Sequence, residues 1–211
     1  MSEIPLRRYT DLPSLIYLLS KRKLTLLNPR SWDDKNDSRY LDIYRKKRKL
    51  ESVLALCFSQ SEETYHHWRV FAPGSAGVCI RFDRAALLSA VTEEPPLQVI
   101  CRPVTYLTVP DIKKSPPKIR NLPFLKRRAF EPENEFRMVF VSEGWETETL
   151  DIDIPLSCVQ RVTLSPWMHD ALSADVKTVL KSIKGCSGLE IVRSTLISND
   201  QWQKHGERAV P

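Results

Sequence analysis

Apolar residues recur along this chain with two periods, and the switches between them outline the elements. "LRRYT" at 6–10 reads as a short strand. After it, Leu12, Leu15, Ile16 and Leu19 fall on one helical face, and Asp11 is placed to cap that helix because a side-chain oxygen satisfies free amide donors. "NDSRYLDIYRKKRKL" gives Tyr40, Ile43 and Tyr44 a helical spacing, while "VLALCFS" at 53–59 is a continuous apolar run that suits a buried strand opening onto a turn. A helix is predicted over "SEETYHHWRVFA", a strand over "GVCIRFD", a short helix over "AALLSAV", and a strand over "LQVICRPVTYL" continuing to about residue 107.

The region 108–124 is proline-rich and basic and reads as an exposed loop or crossover. Three strands, "EFRMVFVS", "TLDIDIP" and "CVQRVTLSP", then lead to an amphipathic helix over "WMHDALSADVKTVLKSIKG" ending at Gly185, and "GLEIVRSTLI" reads as a final strand. Strands and helices alternate without a regular βαβ rhythm, so a single α+β domain over residues 1–211 is expected. The doubly wound alternative lacks its phosphate loop: with six glycines, neither GxGxxG nor GxxxxGK[ST] occurs.

Composition narrows the setting. At 42% hydrophobic residues the chain can bury a full core, yet no apolar run approaches the roughly 18 residues that a membrane span needs. "MSEIPLRRYT" carries no signal peptide, so a cytoplasmic location is expected. The five cysteines, at 57, 79, 101, 158 and 186, show no CxxC spacing and no histidine at a metal-ligand interval, which argues against zinc and for small core residues in a reducing compartment. A net charge of +6 directs attention to anionic partners. Basic residues cluster at Arg45, Lys46, Lys47 and Arg48 and again at Lys126, Arg127 and Arg128, which suits phosphate contacts on nucleic acid. The first run equally suits a solvated helix end, where the helix dipole favours cations.

Three separated stretches place polar residues beside apolar strands: "LRRYT", "CFSQS" at 57–61 and "EPENEFR" at 131–137. Polar groups at strand ends can converge on a cleft, where a low dielectric strengthens charge and hydrogen bonding. At period two, Glu133, Glu135 and Arg137 share one face of an extended chain, aiming two acids and an arginine into the same space. The plainer reading makes the acids a solvent-facing strand edge paired with Arg137, and Ser59 a turn residue.

"LRRYTDLPSLIYLLSKRKLTLLNPRSWDDKND", "LCFSQS", "HHWRVFAPGSAGVCIRFD" and "FEPENEFRMVF" resemble successive blocks of a bacterial family that includes AbiGi-like abortive-infection proteins. The chain departs from that pattern at "DDKND", where the family has Asn-Asp-Pro, and at Phe71, where it has tyrosine. The same blocks resemble the motifs of the ADP-ribosyltransferase superfamily, whose arginine-type members carry Arg, aromatic-x-Ser-x-Ser and Gln/Glu-x-Glu. Arg8 matches the first motif, Ser59 and Ser61 the second, and Glu133 with Glu135 the third. The resemblance implies a split mixed β-sheet core of two packed small sheets with surrounding helices, NAD as substrate, no metal, and a nucleic-acid acceptor, RNA before DNA. An antitoxin and a chaperone are the implied protein partners, with no membrane.

On that resemblance Glu135 accepts the ribose 2′-hydroxyl and stabilises the oxocarbenium-like state, and Glu133 orients or deprotonates the nucleophile. Arg8 holds a phosphate or ribose, and Ser59 positions Glu135 and the nicotinamide ribose. Tyr9, Thr10, Ser61, Tyr65 and Trp68 complete the implied dinucleotide site, although Trp68 suits a core position better. Two other readings stand beside this one. The first is a non-catalytic module that binds RNA or a partner protein. The second is a metal-dependent nuclease using Asp33, Asp34 and Asp37 with Lys35 on a phosphate, against which an Asx-rich turn is the commoner use of such residues.

Overall fold

In the computed structural model, which describes residues 4–92 and 98–209, the expected alternation of strands and helices is present. The first half comprises β1 (Leu6–Asp11), α1 (Leu12–Lys21), β2 (Lys23–Leu27), α2 (Lys35–Arg48), β3 (Ser52–Ser59), α3 (Tyr65–Phe71), β4 (Gly77–Phe82) and α4 (Arg84–Thr92). The second comprises β5 (Val99–Pro103), β6 (Thr105–Leu107), α5 (Val109–Lys114), β7 (Leu125–Arg127), β8 (Glu135–Ser142), β9 (Thr149–Asp153), β10 (Val159–Leu164), α6 (Asp170–Ser182), β11 (Glu190–Arg193) and α7 (Asp200–Gly206). This is an α+β chain with one large mixed sheet and a two-stranded parallel sheet, β6 with β7.

The large sheet is organised around β3. One edge of β3 pairs antiparallel with β8 over its whole length, from Ser52↔Ser142 to Ser59↔Glu135, and β5 continues beyond β8. Its other edge is divided: β1 meets it only at Arg7↔Ser59 and β2 only at Leu27↔Ala55. From there β1 leads into β4, β10 and β11, whereas β2 leads to β9. The division expected between two small sheets is thus a splay inside one hydrogen-bonded sheet. The two wings close over a common core in which Leu6, Ile80 and Phe82 of one meet Leu24, Leu26 and Ile152 of the other, with Leu15, Leu18 and Leu19 of α1 packed on top. Each such side chain contributes about 1.5–3 kcal/mol on burial.

Local signals explain most of the elements. Asp11 caps α1 by accepting from Ser14 N at 2.8 Å, as its position foretold. The buried face of α1 is rotated from the expected one: Leu18 is buried and Ile16 is exposed, because the sheet underneath selects the stripe. The strand expected over 97–107 breaks after Pro103, which has no amide to donate to the ladder; Val104 N instead donates to the Glu135 carbonyl at 2.9 Å and β6 joins the second sheet. Leu97, where that expectation begins, lies outside the described residues.

The stretch 108–124, expected as a loop, contains α5, started by a capping box between Thr108 and Asp111, and a 3-10 turn over Ile119–Phe124. Leu122 and Phe124 are buried against Leu41 and Tyr44 of α2, so the end of this segment is core and not surface. The last strand is only Glu190–Arg193, after which Ser194 N turns back to the Leu164 carbonyl. Helix α7, which the hydrophobic pattern did not announce, follows with Trp202 exposed.

Candidate active site

Where β1 and β2 part company on β3, a cavity of about 440 Å³ opens. β1 supplies Arg7, Arg8 and Tyr9 to its wall, β3 supplies Cys57 and Ser59, and the turn into α2 supplies Trp32, Asp34 and Asp37. Lys126, Phe130, Glu133 and Glu135 line it from the β7–β8 connection. The size and mixed lining are those of a small-molecule site.

Three carboxylates and two cations meet at its base. Glu135 Oε1 accepts from Arg137 Nε at 2.7 Å and Oε2 from Lys126 Nζ at 3.2 Å, beside Cys57 on the cavity wall. Arg137, with no exposed surface, donates through Nη1 and Nη2 to both oxygens of Asp37 at 2.8 and 2.7 Å, donates again to the Pro123 carbonyl, and lies over the Trp32 ring. Lys126 Nζ donates to Glu133 Oε2 at 2.6 Å and stands 3.7 Å from Asp37. Burial pushes the Glu135 carboxyl up, but Arg137 and Lys126 outweigh burial and hold its pKa at about 2. Desolvation prevails at Asp37 and Glu133, whose pKa values are raised. Glu135 is therefore the carboxylate of the three that its cations hold below the ordinary range.

The two glutamates do not meet through strand alternation, as the period-two reading supposed. Glu133 ends a 3-10 turn over Arg128–Glu133, Asn134 adopts a left-handed conformation with φ 45°, and the strand begins at Glu135. Asparagine tolerates this conformation, and the turn swings Glu133 back beside its neighbour. Glu135 and Arg137 do share a strand face as expected.

A second polar group lies beside the cluster. The Ser59 hydroxyl donates to the Glu133 carbonyl at 2.9 Å, and its oxygen lies 2.9 Å from His67 Nε2 and accepts from Ser61 N at 3.1 Å. His67 Nδ1 meets the Thr64 hydroxyl, so these hydrogen bonds are satisfied together by the Nε2–H tautomer with Thr64 donating to Nδ1. Burial lowers the His67 pKa and keeps the ring neutral, and Tyr9 stacks on it with centroids 5.3 Å apart. Ser59 thus anchors the backbone carbonyl of Glu133 and makes no hydrogen bond to the Glu135 carboxylate that it was expected to position.

Arg7 and Arg8 both reach the cavity, with different duties. Arg7 is engaged by Glu62 at 2.5 Å and the Ser61 carbonyl at 3.0 Å. Arg8 makes no ion pair among the described residues, and its Nη1 is buried without a partner; desolvation lowers its pKa to about 10. It remains a cation at neutral pH and lines the cavity without a carboxylate paired to it among the described residues. Asp34 Oδ2 and the Tyr9 hydroxyl are two more buried polar atoms on that wall without a hydrogen bond.

The remaining expected residues lie elsewhere. Trp68 has no exposed surface, packs with Tyr9, Ala72 and Cys79, and donates to Glu63 at 2.6 Å, so it belongs to the core and cannot stack on a ligand here. Thr10 and Ser61 are not on the cavity wall, and Tyr65 is exposed beside Arg69 and Trp167. Lys126, expected on a nucleic-acid surface, instead has its side chain largely enclosed, 9% exposed, among the carboxylates. Arg127 and Arg128 are exposed, and Arg45 to Arg48 end α2. The aspartates proposed as metal ligands are differently occupied: Asp34 caps α2 by accepting from Asn36 N at 3.0 Å and both Asp37 oxygens are on Arg137. Among the described residues no group of three or more His, Cys, Asp or Glu is arranged to hold a metal, and no helix is long and apolar enough to cross a membrane. Sequence reasoning gave Cys57 and His67 no place in the site, and it gave Asp37 and Lys126 other duties, as a metal ligand and a nucleic-acid contact; a lysine and a histidine close to motif residues were the only signal.

No family model matches the chain, and no curated protein does. Among solved structures it is similar to DarT of Thermus sp. 2.9 in complex with NAD+, at 11% identity and a TM-score of 0.47 over 92% of this chain and 98% of that one. DarT of Thermus sp. 2.9 in complex with ADP-ribosylated ssDNA matches at 10% identity and 0.45, again over 92% and 98%, and its complex with carba-NAD+ at 10% and 0.42 over 92% and 96%. Likeness of this degree says nothing about what the present chain does.

Proposed function

We propose that this protein is a NAD-dependent ADP-ribosyltransferase that modifies nucleic acid, RNA before DNA. The observation that carries the reading is Glu135: a carboxylate held ionised, pKa about 2, by Arg137 and Lys126 at the base of a cavity. Breaking the bond between nicotinamide and ribose leaves positive charge on the ribose, and a fixed negative charge already in place costs no reorganisation when that charge develops. Each carboxylate oxygen has two lone pairs, so Glu135 can keep both cations and still accept a ribose hydroxyl. Glu133 suits proton acceptance from the acceptor: burial raises its pKa toward neutrality, and its Oε1 makes no hydrogen bond among the described residues. Arg8, a buried cation with an unpartnered Nη1, suits the diphosphate or a ribose oxygen.

The block resemblance to abortive-infection proteins makes a bacterial toxin or anti-phage effector the setting, acting in the cytoplasm and restrained by an antitoxin, with a chaperone as a further partner. One observation favours a second reading, a non-catalytic binding module: both Glu135 oxygens already have cationic partners, as a purely structural network would require. The two separate by nicotinamide release from NAD, comparing wild type with Glu135→Gln in the presence of single-stranded RNA, single-stranded DNA or cell lysate and following label into each. Glutamine preserves volume and removes charge. Release and labelling by wild type, falling at least about 10²-fold in the variant, support the transferase; equal inertness of the two proteins sinks it.

A further inference from the structure

A second concavity of about 460 Å³ lies around α2 from the cavity, bounded by the turn at Asn28–Arg30 and the segment at Glu146 and Thr147. Five cations line it, Arg30, Lys35, Arg39, Arg45 and Lys46, against the three carboxylates of Asp42, Glu51 and Glu146. We infer that this groove takes the phosphate backbone of a single-stranded nucleic acid and delivers that strand to the cavity. Naming the strand as the acceptor rests on the transferase reading; its binding does not.

The charge balance is the first argument. Arg39, Arg45 and Lys46 converge on the single carboxylate of Asp42, at 3.3, 3.5 and 2.8 Å, which leaves them collectively under-neutralised. Lys35 Nζ reaches only the Trp32 carbonyl, at 2.9 Å, and Arg30 pairs at the rim with Glu148. Pairs this exposed are weak and exchange readily with a ligand anion. The track also has a direction. Lys35, Arg39, Asp42 and Lys46 follow one another along one face of α2, and exposed Lys47, Arg48 and Lys49 add charge around its C-terminal end. At its other end Asp34 and Asp37, at the start of the same helix, line the catalytic cavity. A helix of 14 residues is about 20 Å long, so a flexible strand lying along it spans the distance from the basic end to the cavity mouth. A string of evenly spaced monoanions fits such a row better than a single phosphate does.

The test is fluorescence anisotropy of short labelled single-stranded RNA and DNA with the full chain, without NAD, across a salt series. The triple change Lys35→Gln, Arg39→Gln and Lys46→Gln, all on exposed or rim side chains, weakens binding. It also flattens the slope of log K against log salt by about 2, at roughly 0.7 for each phosphate that is no longer neutralised. Asp42→Asn does the opposite, tightening binding about fivefold at low salt by removing one repelling charge, a gain that mere disruption of α2 would not produce. An unchanged slope in the triple variant, weaker binding by Asp42→Asn, or a wild type that ignores both oligonucleotides but captures polyglutamate each overturns the inference. Nicotinamide release with Glu135→Gln, measured separately, decides the transferase reading, so the two can fail independently.

Discussion

Asp37 and Asp42 stand on the same helix and are used in opposite ways. Asp37, with a side chain 1% exposed, gives both oxygens to Arg137, and burial raises its pKa. Asp42, 27% exposed, is shared among three cations, and the hydrogen bond from Lys46 lowers its pKa. In the cavity, charges have been taken out of water and must be matched by fixed partners, which makes the arrangement rigid and costly to disturb. In the groove, water already does much of the matching, which leaves the cations free to change partners. A rigid charge suits transition-state stabilisation and an exchangeable one suits binding of a polyanion.

The sharpest way to break the contrast is Arg137→Met, which leaves Asp37 and Glu135 buried with Lys126 as their one remaining cation. A loss of about 3–5 kcal/mol in denaturant unfolding is expected. A loss comparable to that of a surface pair would mean that the cavity network is no more rigid than the groove. Lys126→Met comes next. It removes the shared cation, costs about 1–3 kcal/mol, and raises the pKa values of Glu133 and Glu135, so the acid limb of any pH–rate profile for nicotinamide release moves to higher pH. Lys126→Arg restores the limb if charge, and not shape, is what matters.

Acid titration of stability separates the regions further. Glu135 has a folded pKa of about 2 against an ordinary 4.5, so the stability it contributes is complete above 4.5 and is lost as pH falls from there toward 2. That loss is absent from Glu135→Gln and insensitive to salt. His67, lowered below 6.5 by burial, adds an earlier decline as pH falls through its folded pKa, which His67→Gln removes. The smallest effect belongs to Asp42→Asn, which costs less than about 1 kcal/mol and disappears in high salt.

Much of this molecule was legible locally. Asp11 before an apolar period of helical spacing marked the start of α1, "VLALCFS" marked the central strand, and the alternation in "EFR" put Glu135 and Arg137 on one face. What local pattern misread has a consistent cause. Lys126 looked like a surface cation and is the largely enclosed link among three carboxylates; the 108–124 stretch looked like solvent-exposed loop and supplies Leu122 and Phe124 to the packing. In each case a neighbour distant in sequence decided burial.

The sequence by itself determined the α+β class, the order of most elements and the pairing of an acid with an arginine on one strand, because hydrophobic period, capping residues and strand alternation act over a few residues. Only the tertiary structure decided which carboxylate is held below the ordinary range and which cations hold it. Asp37 and Arg137 are separated by 100 positions, and Ser59 reaches the Glu133 carbonyl across 74. Desolvation and pairing at such separations depend on where the splayed sheet leaves space, and no period in the chain encodes that.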